Sequence, residues 1–356
     1  MKVIQYLVFS GGGVRGAAFG GATKKLEESG MLDGIEGVAG ASAGAVAATL
    51  IALRYNAGEM EATLNALDFK KFEDGSFGVL GEIVSLATLG YMHPGTELLK
   101  FYESIIERKT GNKNITFGEL QQSGKARDLR IWGFNLNRNV AEQFSAKTTP
   151  DMRIADALRI STSVPFFFAP VKYKDWKYED GGLGNNYPIS SFEDVDPTGE
   201  RVMGFVLVNQ DVVEAYQSGL PIPCRYKTNT REEECIANIC GVLDGPQNTM
   251  LRDRIVDEKT IMISDAGVNF LDFNITDELK KKLEKNGYQA TEQFINRVLD
   301  QKIRPVALPE TKGPQSDAPQ EIAALLENYP LPDAKPKPKT WAETVSGYMP
   351  SKCAVM

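Results

Sequence analysis

The opening sixty residues alternate short apolar runs with clusters of very small residues. Residues 3–9 form an apolar run interrupted by Gln5 and stopped by Ser10 and a glycine cluster; a run of that length, so bounded, predicts a buried strand. A helix is expected over residues 15–29, opened by the glycine loop. A short strand from Ile35 to Ala39 and an alanine-rich helix from Gly44 to Tyr55 follow. This repeated strand–turn–helix order is that of an α/β sheet with parallel strands. Later apolar runs predict strands at Leu129–Asn135, Val202–Val208 and Thr260–Ile263. Helices are expected at Thr96–Lys109, Arg153–Ile160, Arg231–Leu243 and Thr276–Gln301, the last with a break near Gly287.

The pattern changes at Arg304. Nine of the eighteen prolines lie from Pro305 onward, a density that resists packing and favours extended, solvated chain. The chain therefore divides into residues 1–210, a catalytic core carrying the motifs below, residues 211–304, mainly helical and completing the same domain, and a Pro-rich tail, 305–356, with one short helix near Gln320–Asn328. A net charge of −7 and a pI near 5.1 exclude a generic nucleic-acid binder. They leave room for a local basic patch that faces a membrane. Four cysteines without a C-x-x-C pair, and a single histidine, His93, assemble no zinc site. Cys224, Cys235 and Cys240 read as buried, reduced thiols of a cytosolic protein. No apolar run of about 20 residues is present to span a bilayer, and the N-terminal run is too short for a signal peptide.

Three segments carry chemistry. Gly40-Ala41-Ser42-Ala43-Gly44 is G-x-S-x-G between an expected strand and an expected helix, the context in which a serine is pushed out of the sheet on a tight turn that only tiny neighbours tolerate. A serine needs a base to take its proton. His93 lies in a loop-like stretch, Tyr91 to Gly95, where it reads as a solvated or capping residue, so a carboxylate base is more attractive. Asp180, followed by Gly181 and Gly182, is the best candidate: the glycines let another segment approach closely, and a desolvated carboxylate is a stronger base. Ser10-Gly11-Gly12-Gly13-Val14-Arg15-Gly16 sits after the first strand, where fixed amides at a helix start can stabilise a developing oxyanion. Gly11, Gly13 and Gly16 also satisfy the dinucleotide fingerprint, with Asp33 and Glu36 at a suitable offset for a ribose. The second motif about 30 residues later is left unexplained by that nucleotide-dependent alternative.

Taken in order, Gly11–Gly16, Gly40–Gly44 and Asp180–Gly182 make the chain resemble the patatin-like phospholipases, with a softer match at Ala157–Pro165. The likeness covers roughly residues 3–210. It implies a central, mostly parallel sheet flanked by helices and a calcium-independent serine lipid acyl hydrolase of phospholipase A or lysophospholipase type, with no cofactor and no metal. Carried over by position, Ser42 is the nucleophile and Asp180 the base. The amides around Gly11, Gly12 and Gly13 form the oxyanion hole, with Gly40, Gly44, Gly181 and Gly182 shaping the turns. Arg15 holds its loop, meets the lipid head group or makes a plain structural ion pair. The chain departs from many members at Ser10, where they have an aspartate. A catalytically weak membrane-binding scaffold on the same fold is the other alternative.

The remaining features concern membranes. Phe77 to Tyr91 holds one charge, Glu82, and reads either as a core helix or as a flap over an acyl groove. Phe166-Phe167-Phe168 reads as core packing that can line the same groove. Lys280-Lys281-Lys282 reads as a solvated helix face. The last four residues, Cys353-Ala354-Val355-Met356, have the form that a prenyltransferase modifies, with Lys335, Lys337, Lys339 and Lys352 upstream as a second, electrostatic anchor. The expected setting is cytoplasmic and peripherally membrane-associated, in a eukaryotic cell or in one that receives a bacterial protein. A phospholipid or lysophospholipid is the expected substrate, and an activating protein partner the expected helper.

Overall fold

Four consecutive buried residues, Tyr6–Phe9, form the central strand β1, and their alternation decides the layering. Leu7 and Phe9 face one core, which also holds Phe19, Leu26 and Leu50, while Tyr6 and Val8 face a second core with Tyr187 and Phe192. The computed structural model describes residues 4–65, 69–75, 84–85, 88–218 and 259–303. After β1 come a 3-10 turn, Gly13–Ala17, and the helices and strands α1 (Ala18–Glu28), β2 (Gly37–Ala41), α2 (Ala43–Ala52), α3 (Ala57–Asn65), α4 (Thr96–Thr110) and α5 (Phe117–Gln122). Next are β3 (Asp128–Asn135), β4 (Val140–Phe144), α6 (Ile154–Ser161), β5 (Val171–Tyr173), β6 (Trp176–Asp180) and the single turn α7 (Gly182–Asn185). The series closes with β7 (Val202–Val208), α8 (Gln210–Gln217), β8 (Thr260–Ser264) and α9 (Asp277–Ile303).

The eight strands make one sheet in the order β5-β6-β3-β2-β1-β7-β8, with β4 paired to β3. Its centre, β3-β2-β1-β7-β8, is parallel; β4, β5 and β6 add antiparallel pairs at one side. The fold is the expected mostly parallel sheet flanked by helices. Register on β3 has a functional consequence. β2 pairs with Asp128–Trp132 and β6 with Gly133–Asn135, while β4 pairs with Ile131–Asn135 and so occupies the opposite edge. β2 and β6 therefore share one edge, and Ala41, opposite Trp132, and Asp180, opposite Gly133, stand in consecutive rows. One strand thus sets the positions of two segments that are distant in sequence.

Several expected boundaries shift. The second strand runs Gly37–Ala41 rather than 35–39, because it must reach the turn at Ser42. The helix expected from residue 15 begins as a 3-10 turn, and α9 passes through Gly287 without a break. A side chain at Gly287 would overlap the carbonyl of Ala18, and one at Gly21 would overlap that of Glu284. The two glycines let α1 and α9 cross in backbone contact, and that packing outweighs glycine's poor helix propensity. Lys25 pairs with Glu292 at 2.7 Å and Tyr288 donates to Glu28 at 2.6 Å along the same seam. Among the described residues no helix is long and apolar enough to cross a membrane. The helix expected at Arg231–Leu243, most of Phe77–Tyr91, the four cysteines and the tail lie outside the described residues.

Candidate active site

Ser42 sits at the junction of β2 and α2 with φ +52° and ψ −126°, a conformation costly for any residue with a side chain. Two glycines permit it. A Cβ on Gly44 would overlap the carbonyl oxygens of Phe9 and Ser10, and one on Gly40 would overlap the backbone of Gly44. The turn is held from a third side: the Ser42 amide donates to Ser161 Oγ at 2.9 Å, and that hydroxyl donates to the Trp132 carbonyl at 2.6 Å. Ser161 is in the softer block of the sequence match, where nothing in the pattern distinguished it from Thr162 or Ser163.

Ser42 Oγ donates to Asp180 Oδ2 at 2.7 Å, and both side chains are buried. The other carboxylate oxygen accepts the Gly182 amide at 2.7 Å, and the Asp180 amide donates to the Ser163 carbonyl at 3.0 Å. Burial pushes the Asp180 carboxyl up from 3.8 to about 7; the hydrogen bonds from Gly182 and Ser42 act in the opposite sense. A side chain on Gly181 would overlap the Trp132 carbonyl, so the chain leaves β6 close along β3. Asp180 lies at the end of a strand that the sequence pattern, rich in lysine and aromatic residues, did not reveal.

The glycine loop follows β1 at the same end of the sheet. Ser10, at the departure from the family pattern, accepts the Leu207 amide at 3.1 Å and donates to the Gly11 carbonyl at 3.0 Å, so it ties the loop to β7. The Gly11 amide donates to the Asn186 carbonyl at 2.9 Å. Of the expected trio of amides, that of Gly11 is engaged in this way, whereas those of Gly12 and Gly13 have no acceptor among the described residues. Gly13 has φ +57°, and a Cβ there would overlap the Phe270 carbonyl, which also accepts the Val14 amide at 3.0 Å. Arg15 is held within the protein. It pairs with Asp265 at 2.8 Å, reaches the Gly12 carbonyl at 3.3 Å and lies over the Phe270 ring. Asp265, 250 residues from its partner, has no signature in the sequence.

Ser42 opens on a pocket of about 720 Å³, counted to its mouth and walled by Val46, Leu64, Leu98, Phe101, Phe168 and Phe273. Its walls are almost wholly apolar. The polar side chains Tyr102 and Thr162 also reach it, but they hydrogen-bond to each other at 3.0 Å. Phe167 and Phe168 are buried and pack with Phe273, whereas Phe166 is half exposed with φ +65°. The expected packing therefore holds for two of the three.

His93 is not a solvated loop residue. It is 1% exposed, approaches the Asp74 carbonyl through Nδ1 at 3.2 Å and packs on Phe167 and Phe168. The acids that a dinucleotide reading requires are misplaced. Asp33 and Glu36 precede β2 and lie level with the start of β1, at the opposite end of the sheet from the glycine loop. Among the described residues no three His, Cys, Asp or Glu side chains converge on a metal position.

Residues 7–193 match the profile of the family described as patatin-like phospholipase. Protein R571 of Acanthamoeba polyphaga mimivirus is 26% identical over 304 residues, covering 83% of this chain and 95% of that protein. The probable lipid hydrolase 463L of Invertebrate iridescent virus 6 is 30% identical over 191 residues, covering 53% of this chain and 63% of that protein. VipD from Legionella pneumophila shares the fold, with a TM-score of 0.56 at 20% identity over 83% of this chain and 67% of VipD.

Proposed function

This chain belongs to the patatin-like phospholipase family, and on that footing we propose that it hydrolyses acyl esters of phospholipid or lysophospholipid through a Ser42–Asp180 dyad. The observation that carries the reading is the 2.7 Å contact between a strained, buried serine hydroxyl and a buried carboxylate beside an apolar pocket. Asp180 Oδ2 takes the hydroxyl proton as Ser42 Oγ attacks the ester carbonyl. A carboxylate with its acidity near neutrality accepts that proton far better than an ordinary aspartate. The amides of Gly12 and Gly13 and the amino end of α2 stabilise the oxyanion. Collapse passes the proton from Asp180 to the departing alcohol oxygen and leaves an acyl group on Ser42. Water, deprotonated by Asp180, then releases the fatty acid and restores the dyad. The acyl chain occupies the pocket walled by Val46, Leu98 and Phe273.

Each proton step uses Asp180 and the charge is met by amides, so the cycle is calcium-independent and activity persists in chelator. A fluorophosphonate probe, which reacts with activated serines, labels the unaltered chain but not Ser42→Ala, and lipid-product analysis loses the free fatty acid in the same variant. Labelling that survives Ser42→Ala refutes the assignment. Cys353 is read as a prenylation site that, with the lysines upstream, keeps the enzyme at membranes. Mass spectrometry of the tail from eukaryotic cells tests this, and an unmodified Cys353 with unchanged membrane binding refutes it.

A further inference from the structure

Large apolar side chains that stand well out of the surface are unevenly spread. Of the seven among the described residues, Leu136, Val140 and Trp176 lie on two neighbouring hairpins. These are the turn between β3 and β4 and the turn between β5 and β6. The two are tied together: the Leu136 amide donates to the Lys177 carbonyl at 2.9 Å, and the Lys177 amide donates to Asn137 Oδ1 at 2.7 Å. Since β6 runs antiparallel to β3 with Tyr178 opposite Asn135, both turns project beyond the carboxyl end of β3. Ser42 follows the carboxyl end of the parallel β2, so the turns and the dyad share one end of the sheet. Trp176 is four residues from Asp180 on the same strand, about 13 Å at strand rise.

The charge at this tip is unusual for a chain of net −7. Lys172, Lys174 and Lys177 fall within six residues, with Asp175 the one acid between them. Lys172 and Lys177 are directly cross-strand partners, an arrangement that costs stability in a sheet. None of the three makes an ion pair among the described residues, and Lys174 lies over the Tyr173 ring. Tryptophan and tyrosine beside unpaired lysines suit the boundary between water and lipid, where an aromatic ring settles at head-group depth and the cations meet phosphate.

We propose that the paired turns at 136–140 and 172–177 are the face by which this chain docks on a bilayer bearing anionic lipid, with Trp176, Leu136 and Val140 entering the head-group layer. The inference rests on the reading of the chain as a lipid hydrolase, since it brings the end of the sheet that holds Ser42 down to the source of its substrate. The test uses the full chain with Ser42→Ala, produced in bacteria so that Cys353 stays unmodified, and sedimentation with phosphatidylcholine vesicles with and without phosphatidylserine. Binding is expected to be strong only with phosphatidylserine, and the tryptophan emission to move to shorter wavelength, a change lost in Trp176→Phe. At about fivefold per lysine, Lys172→Gln, Lys174→Gln and Lys177→Gln together weaken binding roughly 100-fold. On the Ser42 background these lysine variants keep hydrolysis of a short water-soluble ester.

Equal sedimentation of the triple variant, or no binding of the unaltered tip to either vesicle, overturns the proposal and leaves the face to an acidic protein. If the triple variant loses soluble-ester activity, salt titration of the parent chain decides instead: binding must fall steeply, and a flat response overturns the docking face. A chain that binds vesicles through this tip yet hydrolyses no ester sinks the proposed reaction and keeps the docking surface.

Discussion

Replacing Asp180 by asparagine is expected to make the protein more stable while abolishing its reaction, and the size of the gain follows from the site. The carboxyl is raised from 3.8 to about 7 because it is buried, with only Ser42 and Gly182 donating to it. Between those values the folded chain holds a proton that the unfolded chain has released. The stability is therefore full below about pH 4, declines as pH rises to about 7 and is level above that. At ~1.4 kcal/mol per tenfold in acidity, the cost of an ionised, buried Asp180 reaches about 4 kcal/mol at neutral pH and above. The asparagine amide keeps the shape without the charge: its oxygen accepts the Gly182 amide, and its nitrogen donates to Ser42 Oγ in place of the bond from the hydroxyl. Urea unfolding should give Asp180→Asn an advantage of about 1–2 kcal/mol near pH 5, growing to about 4 kcal/mol near pH 8. In the unaltered enzyme kcat/KM should fall about tenfold per pH unit below about 7, as the base is protonated, and the variant should lose at least ~100-fold. A variant less stable than its parent at alkaline pH, or an advantage independent of pH, would refute this reasoning.

Other perturbations act on the supports of the site. Ser161→Ala leaves the Ser42 amide and the Trp132 carbonyl buried without their partner; a cost of about 1–3 kcal/mol in urea unfolding is expected, with kcat reduced, KM little changed and Ser161→Thr restoring the rate. Arg15→Met strands Asp265, whose side chain is 3% exposed, and should cost about 3–5 kcal/mol; adding Asp265→Asn should recover part of it, and a double-mutant cycle that shows no coupling contradicts the pair. Gly44→Ala drives a methyl group into the carbonyls of Phe9 and Ser10, so fluorophosphonate labelling should vanish even where circular dichroism still reports a folded chain.

Much of the amino-terminal half could be read before any coordinates, for a physical reason. β1, the glycine loop, β2 and the turn at Ser42 are encoded locally, by apolar runs that stop at clusters of residues too small to obstruct a tight turn. Asp180 was legible through the two glycines after it, yet its strand was passed over: Trp176-Lys177-Tyr178-Glu179 alternates aromatic and charged residues, but over too short a span to stand out beside the longer apolar runs. The β3 register that aligns Ala41 with Trp132 and Asp180 with Gly133 is a tertiary fact with no local signature. Gly287 carried the opposite message to its true one, since propensity speaks for the isolated helix and not for the close crossing with α1. Nor could spacing tell that the Gly11 amide is engaged by the Asn186 carbonyl. Arg15 found its acid on a turn after β8, which no pattern near the glycine loop announces.

The crossing of α1 and α9 also bears on where the working enzyme stops. The family match closes at residue 193, a point by which the nucleophile, its base and every glycine around them have been synthesised. Yet the glycine loop proposed to hold the oxyanion is braced by Asp265 and Phe270, and the helix that leaves it is clasped by a segment beginning at Asp277. A shortened protein ending at the match would hold all the reagents and lack the hand that steadies them. On the proposed mechanism, the later residues of this chain complete the support of its site.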